Sequence, residues 1–129
     1  MSRRISGAMK KALILPLFFA CSHLALATDG NRLLQICGPL DKTEFQPSEM
    51  SEVTACTNYI DGVLDALVAL QSAHPREIKS SVCAPSDSGI NPFQGARIVL
   101  KYLRDNPDKL HWTASVLVIN ALHDTFPCR

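Results

Sequence analysis

The stretch VTACTNYIDGVLDALVAL, residues 53–70, decides how this chain folds. Its apolar residues recur at alternating intervals of three and four, which places them along one side of an α-helix. The residues on that side are Val53, Cys56, Ile60, Val63, Leu67 and Leu70. We therefore predict an amphipathic helix from Pro47 to about Ser72, with this apolar stripe buried in the core.

Helices are also predicted on both sides of this central one. A short first helix is predicted over residues 29–37, with Thr28 or Asp29 as its cap, and Gly38-Pro39 ends it. The third helix opens with Asn91 as its N-cap and Pro92 at the first helical position, where proline is favoured. Both segments carry an apolar side that would pack against the central helix.

A fourth helix is predicted to follow almost directly. Asn106-Pro107 ends the third helix and caps the next, which runs over residues 108–124 and is apolar on several faces. A helix of this kind must be covered on most sides, either by the other three helices or partly by a second copy of the chain. The expected fold is a small all-α, four-helix domain.

The first 27 residues have the layout of a secretory signal peptide. Four cations stand near the start, the apolar run 12–26 follows, and Ala25-Leu26-Ala27 supplies a small-residue cleavage pattern. The run is too short and too interrupted to cross about 30 Å of hydrocarbon, although an uncleaved anchor is the alternative. We therefore expect residues 1–27 to be a signal peptide, residues 28–129 to form one domain, and the mature chain to be periplasmic and free of the membrane.

Removal of the signal peptide changes the charge of the chain. Nine lysines and arginines then face twelve aspartates and glutamates, which gives a net charge of −3. An acidic domain of this kind has no basic patch to attract a phosphate backbone. We therefore do not expect a nucleic-acid partner.

Four cysteines remain in the mature chain, and an even number in a short exported protein predicts disulfides. The short loop after Cys37 folds the first helix back along the second, where Cys56 faces the core. Antiparallel third and fourth helices would return Cys128 towards the start of the third, near Cys83. We predict the bridges Cys37–Cys56 and Cys83–Cys128, since no two cysteines have the short spacing of zinc ligands.

Catalytic motifs are absent from the sequence. It contains no nucleophile elbow, no glycine-rich phosphate loop and no helical histidine pair flanking a glutamate. His111 and His123 are twelve residues apart on the predicted fourth helix, about 120° apart around its axis, so they cannot chelate one ion together. We predict a protein that is not an enzyme and that needs no cofactor or metal.

A series of short motifs in a fixed order resembles one protein family, the Rap/Tai immunity proteins. The motifs are Cys56-Thr57-Asn58-Tyr59-Ile60-Asp61-Gly62, Cys83-Ala84-Pro85, Gln94 with Val99-Leu100-Lys101-Tyr102-Leu103, Asn106-Pro107, Ala114-Ser115-Val116-Leu117, Ala121-Leu122, and Phe126-Pro127-Cys128. Each fragment alone is unspecific, but their order, spacing and closing Phe-Pro-Cys are fairly specific. The resemblance extends from about Leu34 to Cys128, which is almost the whole mature chain.

The resemblance implies a periplasmic four-helix domain, often a homodimer, that binds a cognate peptidoglycan amidase delivered by type VI secretion. It further implies inhibition by steric occlusion of the amidase cleft by a loop. The candidate loop lies beside Cys83, with a tip formed by Ser86, Asp87, Ser88, Gly89 and Ile90. The alternative for each of these residues is a plain connector tethered by Cys83.

Two alternatives for the function stay open at this stage. Fold resemblance does not fix function, so the chain could be a periplasmic binding or chaperone-like helical protein with no toxin partner. An enzyme is the third hypothesis. Trp112, predicted on the fourth helix, is a candidate anchor for an interface because tryptophan is enriched at binding hot spots.

Overall fold

The computed structural model describes residues 27–76, 81–83 and 89–128. In these residues the chain forms four α-helices and no β-strand, which confirms the predicted all-α fold. Two short 3-10 helices, Gly38–Asp41 and Pro107–Lys109, follow the first and third helices. The helices are α1 (Gly30–Cys37), α2 (Met50–Ala73), α3 (Pro92–Asp105) and α4 (Ala114–Thr125).

Side-chain caps fix where α1 and α3 begin. The Asp29 carboxylate accepts a hydrogen bond from the Arg32 N–H at 2.9 Å. The Asn91 side chain accepts from the N–H groups of Phe93 at 3.0 Å and Gln94 at 3.3 Å. These bonds satisfy N–H groups that have no partner inside the helix. The predicted start of α3 is therefore confirmed, whereas α1 begins at Gly30, one residue later than predicted, with Asp29 as its cap.

The predicted start of α4 is wrong by six residues, because the helix begins at Ala114 and not at Asp108. The carbonyls of Leu110 and Trp112 accept hydrogen bonds from the N–H groups of Asn31 and Gly30, at 3.1 and 3.0 Å. A continuous helix would need these carbonyls for its own bonds. Here they satisfy the free N–H groups at the start of α1 instead, which breaks the predicted helix into a 3-10 turn and α4.

The core is built by one side of each helix. Thr57 is the buried polar residue of the core region, and its hydroxyl donates to the Val53 carbonyl at 3.1 Å. The buried apolar residues are Leu33, Ile36, Cys37, Leu40, Val53, Cys56, Ile60, Ala96, Val99, Leu100, Leu103, Ala114, Leu117, Val118, Ala121 and Leu122. Five of them belong to α4, so the other three helices cover most of that helix within the single chain.

Both predicted disulfides are present. Cys37 and Cys56 join α1 to the first half of α2, with their Cα atoms 5.1 Å apart. Cys83 and Cys128 join the segment before α3 to the segment after α4, with a Cα separation of 5.0 Å. The two bridges therefore fasten different elements of the helical domain.

The predicted burial of the α2 stripe is only half right. Val53, Cys56 and Ile60 are buried, whereas Val63 and Leu67 are half-buried. Leu70, at the end of the stripe, is 50% exposed. The second half of α2 is therefore an apolar segment that the rest of the domain covers only in part.

Helix α2 is long and apolar enough to cross a membrane by length and composition alone, with 22% of its most apolar window buried. Its first half is fixed in the core through Val53, Cys56 and Ile60. We therefore interpret it as a core helix with an exposed second half. The predicted signal peptide lies outside the described residues, except for Ala27, which is exposed.

Candidate functional site

The candidate contact residues fall in the connection between α2 and α3, residues 74–91, which we call the α2–α3 loop. The structure describes both ends of this loop and the segment 81–83. Of the predicted tip, Gly89 and Ile90 are described, whereas residues 86–88 lie outside the described residues. The described part of the loop is attached to the domain at residues 81–83 and at residues 89–91.

The first attachment lies at residues 81–83. The Cys83 N–H donates to the Phe126 carbonyl at 2.9 Å, beside the disulfide that the same cysteine makes with Cys128. The Ser81 carbonyl oxygen lies 2.5 Å from Nδ1 of His123. Because a carbonyl oxygen can only accept a hydrogen bond, Nδ1 is the donor in this contact. One covalent bond and two hydrogen bonds therefore tie this part of the loop to the end of α4.

The second attachment lies at residues 89–91. Gly89 has φ +75°, a left-handed conformation that glycine adopts without steric cost. Ile90 is half-buried and packs against the core, where Gly95 leaves room for it. A Cβ added at Gly95 would lie 3.4 Å from Cγ2 of Ile90. Because Asn91 then caps α3, the chain enters the helix in a fixed direction.

The described residues do not form a recognisable catalytic centre. Among them, no group of three or more histidine, cysteine, aspartate or glutamate side chains could hold a metal ion. The four cysteines of residues 28–129 are all in disulfides, so none offers a thiolate.

Trp112 lies in the turn before α4 and not in the helix, which corrects its predicted position. Its side chain is 41% exposed. Nζ of Lys109 lies 6.0 Å from the centre of the Trp112 ring and 5.6 Å from that of Tyr102, and the His111 ring meets the indole edge-on. This cation–π cluster orders an exposed aromatic surface that is a second candidate for contact with a partner.

A third surface was missed in the sequence. It is an open groove between the second half of α2 and the exposed side of α4. Its lining is almost entirely apolar, and we call it the α2–α4 groove. It is lined by Asn58, Tyr59, Gly62, Val63, Ala66, Leu67, Leu70, Ser115 and Ile119. The sequence signal for this groove was the continuation of the apolar stripe of α2 to Leu70. The sequence did not indicate that this end of the stripe would be exposed.

Burial raises the pKa of Tyr59, which stands at one end of this groove, and hydrogen bonding with Ser115 opposes the shift in part. The neutral phenol is therefore the favoured form at physiological pH. With the other lining residues also uncharged, the groove carries no ionised side chain of its own.

Comparison with known protein families gives one match. The family model described as Rap1a immunity proteins matches residues 29–128, which includes all four helices and both disulfides. Comparison with curated proteins and with solved structures gives no match.

Proposed function

We propose that this chain, which belongs to the Rap1a immunity protein family, binds a peptidoglycan amidase delivered by type VI secretion and occludes its active-site cleft. The family itself suggests immunity against a type VI effector. The observation that carries the proposal is the family match over residues 29–128.

Occlusion by a loop requires that the loop hold its shape. A flexible loop loses conformational freedom on binding, which weakens affinity, whereas a loop fixed beforehand avoids much of that loss. The α2–α3 loop is attached at Cys83 on one side and at Ile90 on the other. In this proposal the residues between those attachments, with Gly89 and Ile90 at their edge, make the contact with the amidase.

The periplasm is the proposed location. Peptidoglycan is the substrate of the amidase, so an inhibitor must meet the enzyme in the compartment that contains it. The signal-peptide pattern of residues 1–27 supports export. The two disulfides also support it, because such bridges persist in oxidising compartments. A homodimer is part of the proposal, since the resemblance implies one.

The test is to express the full sequence, recover the exported protein and mix it with the type VI secretion amidases of the same organism. Hydrolysis of purified peptidoglycan and complex formation are measured in the same samples. We expect one amidase to be bound and silenced at near-stoichiometric inhibitor. If every amidase is neither bound nor inhibited, the family fold serves another role here, and a chaperone-like binding protein becomes the better hypothesis.

A matched pair of charge reversals tests the loop. Asp87→Lys changes the proposed contact segment, and Glu44→Lys makes a comparable change in the exposed loop between α1 and α2. We expect Asp87→Lys to weaken inhibition by about tenfold or more and Glu44→Lys to leave it unchanged. Equal inhibition by both variants would remove the loop from the interface while leaving the immunity function standing.

A further inference from the structure

We propose that the Cys83–Cys128 disulfide, which we call the surface bridge, is a site of thiol–disulfide exchange. A dithiol reductant opens it while the domain stays folded and the Cys37–Cys56 disulfide, the core bridge, stays closed. The proposal goes beyond the proposed function and does not depend on it, because an amidase takes no part in the reaction.

The two bridges differ in their access to solvent. Cys37 and Cys56 are both 0% exposed and belong to the buried core. Cys83 is exposed, Cys128 is half-buried, and neither is among the core residues. An attacking thiolate must reach one of the two sulfur atoms of a disulfide. A bridge inside the core is therefore protected from exchange, whereas the surface bridge is open to it.

The elements that carry the cysteines differ in the same direction. Cys37 is the last residue of α1 and Cys56 lies inside α2, so opening the core bridge would disturb two packed helices. Cys83 and Cys128 lie in segments without helix, one before α3 and one after α4. Local opening of such segments costs less free energy than opening of the core. The fold therefore permits exchange at the surface bridge without global unfolding.

The exchange takes place in two steps. A thiolate of the dithiol attacks Sγ of Cys83, the more exposed cysteine, so that a new sulfur–sulfur bond forms and Cys128 leaves as a thiolate. The second thiol of the reductant loses its proton, attacks the reductant's own sulfur in the mixed disulfide and releases Cys83. Two electrons pass from the dithiol, which ends as an intramolecular disulfide, and its two protons end on the two cysteines.

Two hydrogen bonds hold the same segment to the end of α4 without involving a sulfur atom. The Cys83 N–H donates to the Phe126 carbonyl at 2.9 Å, and Nδ1 of His123 donates to the Ser81 carbonyl. Reduction removes neither bond, so the two cysteines stay near each other after the bridge opens. The reverse exchange, with a disulfide reagent as the oxidant, then closes the bridge again.

The experiment treats the exported full-length product with dithiothreitol in native buffer. Samples are taken over time, free thiols are blocked with iodoacetamide, and mass spectrometry of the peptides locates the blocked cysteines. Far-ultraviolet circular dichroism of the same samples follows the helices. The same treatment in urea is the control, because unfolding removes the difference in access between the two bridges.

We expect the thiols of the surface bridge to appear about a hundredfold faster than those of the core bridge in native buffer, with the helical signal retained. In urea the two bridges should open at similar rates. When the single thiol glutathione replaces dithiothreitol and the reaction is stopped with acid, the trapped mixed disulfide should lie on Cys83.

The variant with Cys83→Ala and Cys128→Ala is the matched control for the native reaction, since it should release no thiol over the same period while its helical signal persists. Equal rates for the two bridges of the wild type in native buffer would overturn the proposal. So would resistance of both bridges to dithiothreitol, or opening of the surface bridge only together with loss of the helical signal.

Discussion

At the scale of single residues, Gly30 shows how closely α1 approaches the turn before α4. An alanine Cβ at this position would lie 2.8 Å from the Leu110 carbonyl oxygen and would overlap Cδ1 of Leu117. The Gly30 N–H also donates to the Trp112 carbonyl at 3.0 Å, so the backbone cannot move away without losing that bond. We predict that Gly30→Ala lowers the free energy of unfolding by about 1–3 kcal/mol, measured by urea denaturation.

Gly62 provides the control for Gly30→Ala. It lies inside α2, and a Cβ there would meet nothing within 4 Å. Alanine is the better helix former, so Gly62→Ala should raise stability by about 0.5–1 kcal/mol when measured in dilute solution, where association contributes little. If both substitutions shift the unfolding midpoint in the same direction, the close packing of Gly30 against Leu110 and Leu117 is not as described.

The titration of Tyr59 is a second prediction at this scale. Burial raises the pKa of Tyr59 above its ordinary value of 10.0, because it disfavours the phenolate. The folded chain then holds this proton more tightly than the unfolded chain. The contribution of Tyr59 to stability is therefore complete below pH 10.0 and is lost as the pH rises through the folded-state pKa.

Absorbance of the phenolate measures this shift directly. The chain has two tyrosines, so Tyr102→Phe leaves Tyr59 as the single reporter. We expect its midpoint to lie above pH 10.0 in the folded protein and to return to that value in urea. Stability of the same variant, followed over the alkaline range, should decline as Tyr59 ionises. An unshifted midpoint would contradict the burial of this side chain.

At the scale of elements, the cap of α3 is predicted to stabilise the domain. The Asn91 side chain accepts hydrogen bonds from two N–H groups at the start of the helix, those of Phe93 and Gln94. Asn91→Ala should therefore lower the free energy of unfolding by about 1 kcal/mol. Asn58→Ala is the control, since Asn58 is exposed within α2, and it should leave stability unchanged or slightly raised. An equal loss of stability in both variants, in thermal or urea unfolding, would show that the loss in Asn91→Ala does not come from the cap.

The elements also show what the sequence could and could not predict. The starts of α1 and α3 were predictable because a cap acts within four residues of its own position. The start of α4 was not, because it depends on hydrogen bonds between residues far apart, from Gly30 and Asn31 to the segment before α4. Periodicity cannot reveal that a carbonyl is already used by another helix.

The exposure of the second half of α2 has a similar cause. Periodicity identifies the apolar side of a helix but not the length over which neighbours cover it. Helix α1 has 8 residues and α2 has 24, so α1 spans only about a third of the length of α2. The stripe from Val53 to Leu70 was therefore found correctly, and its uncovered end became visible only in the fold.

At the scale of the whole molecule, the disulfide pairing was predictable and the contact surface was only partly so. Helix order limits which cysteines can meet, so Cys37–Cys56 and Cys83–Cys128 followed from the arrangement of four helices. The α2–α4 groove joins residues more than fifty positions apart in sequence, such as Gly62 and Ile119. The identity of a partner depends on the partner's own surface, which this sequence does not contain.

The two disulfides should have different consequences when they are removed. The bridge from Cys83 to Cys128 closes a longer stretch of chain, with a separation of 45 residues against 19 for Cys37 and Cys56. The chain-entropy model gives losses of about 4 and about 3 kcal/mol. Only the longer bridge also holds the α2–α3 loop, through its attachment at Cys83.

We therefore predict that replacing Cys83 and Cys128 by alanine weakens inhibition of the proposed amidase partner more than its effect on folding explains, whereas the same change at Cys37 and Cys56 does not. Unfolding in urea gives the folded fraction of each variant, and inhibition is compared at equal concentrations of folded protein. A larger inhibition constant for the first variant alone would mean that the bridge acts by fixing the loop before binding. Equal inhibition constants would mean that both bridges serve stability only and that the amidase contacts a surface independent of the loop attachment.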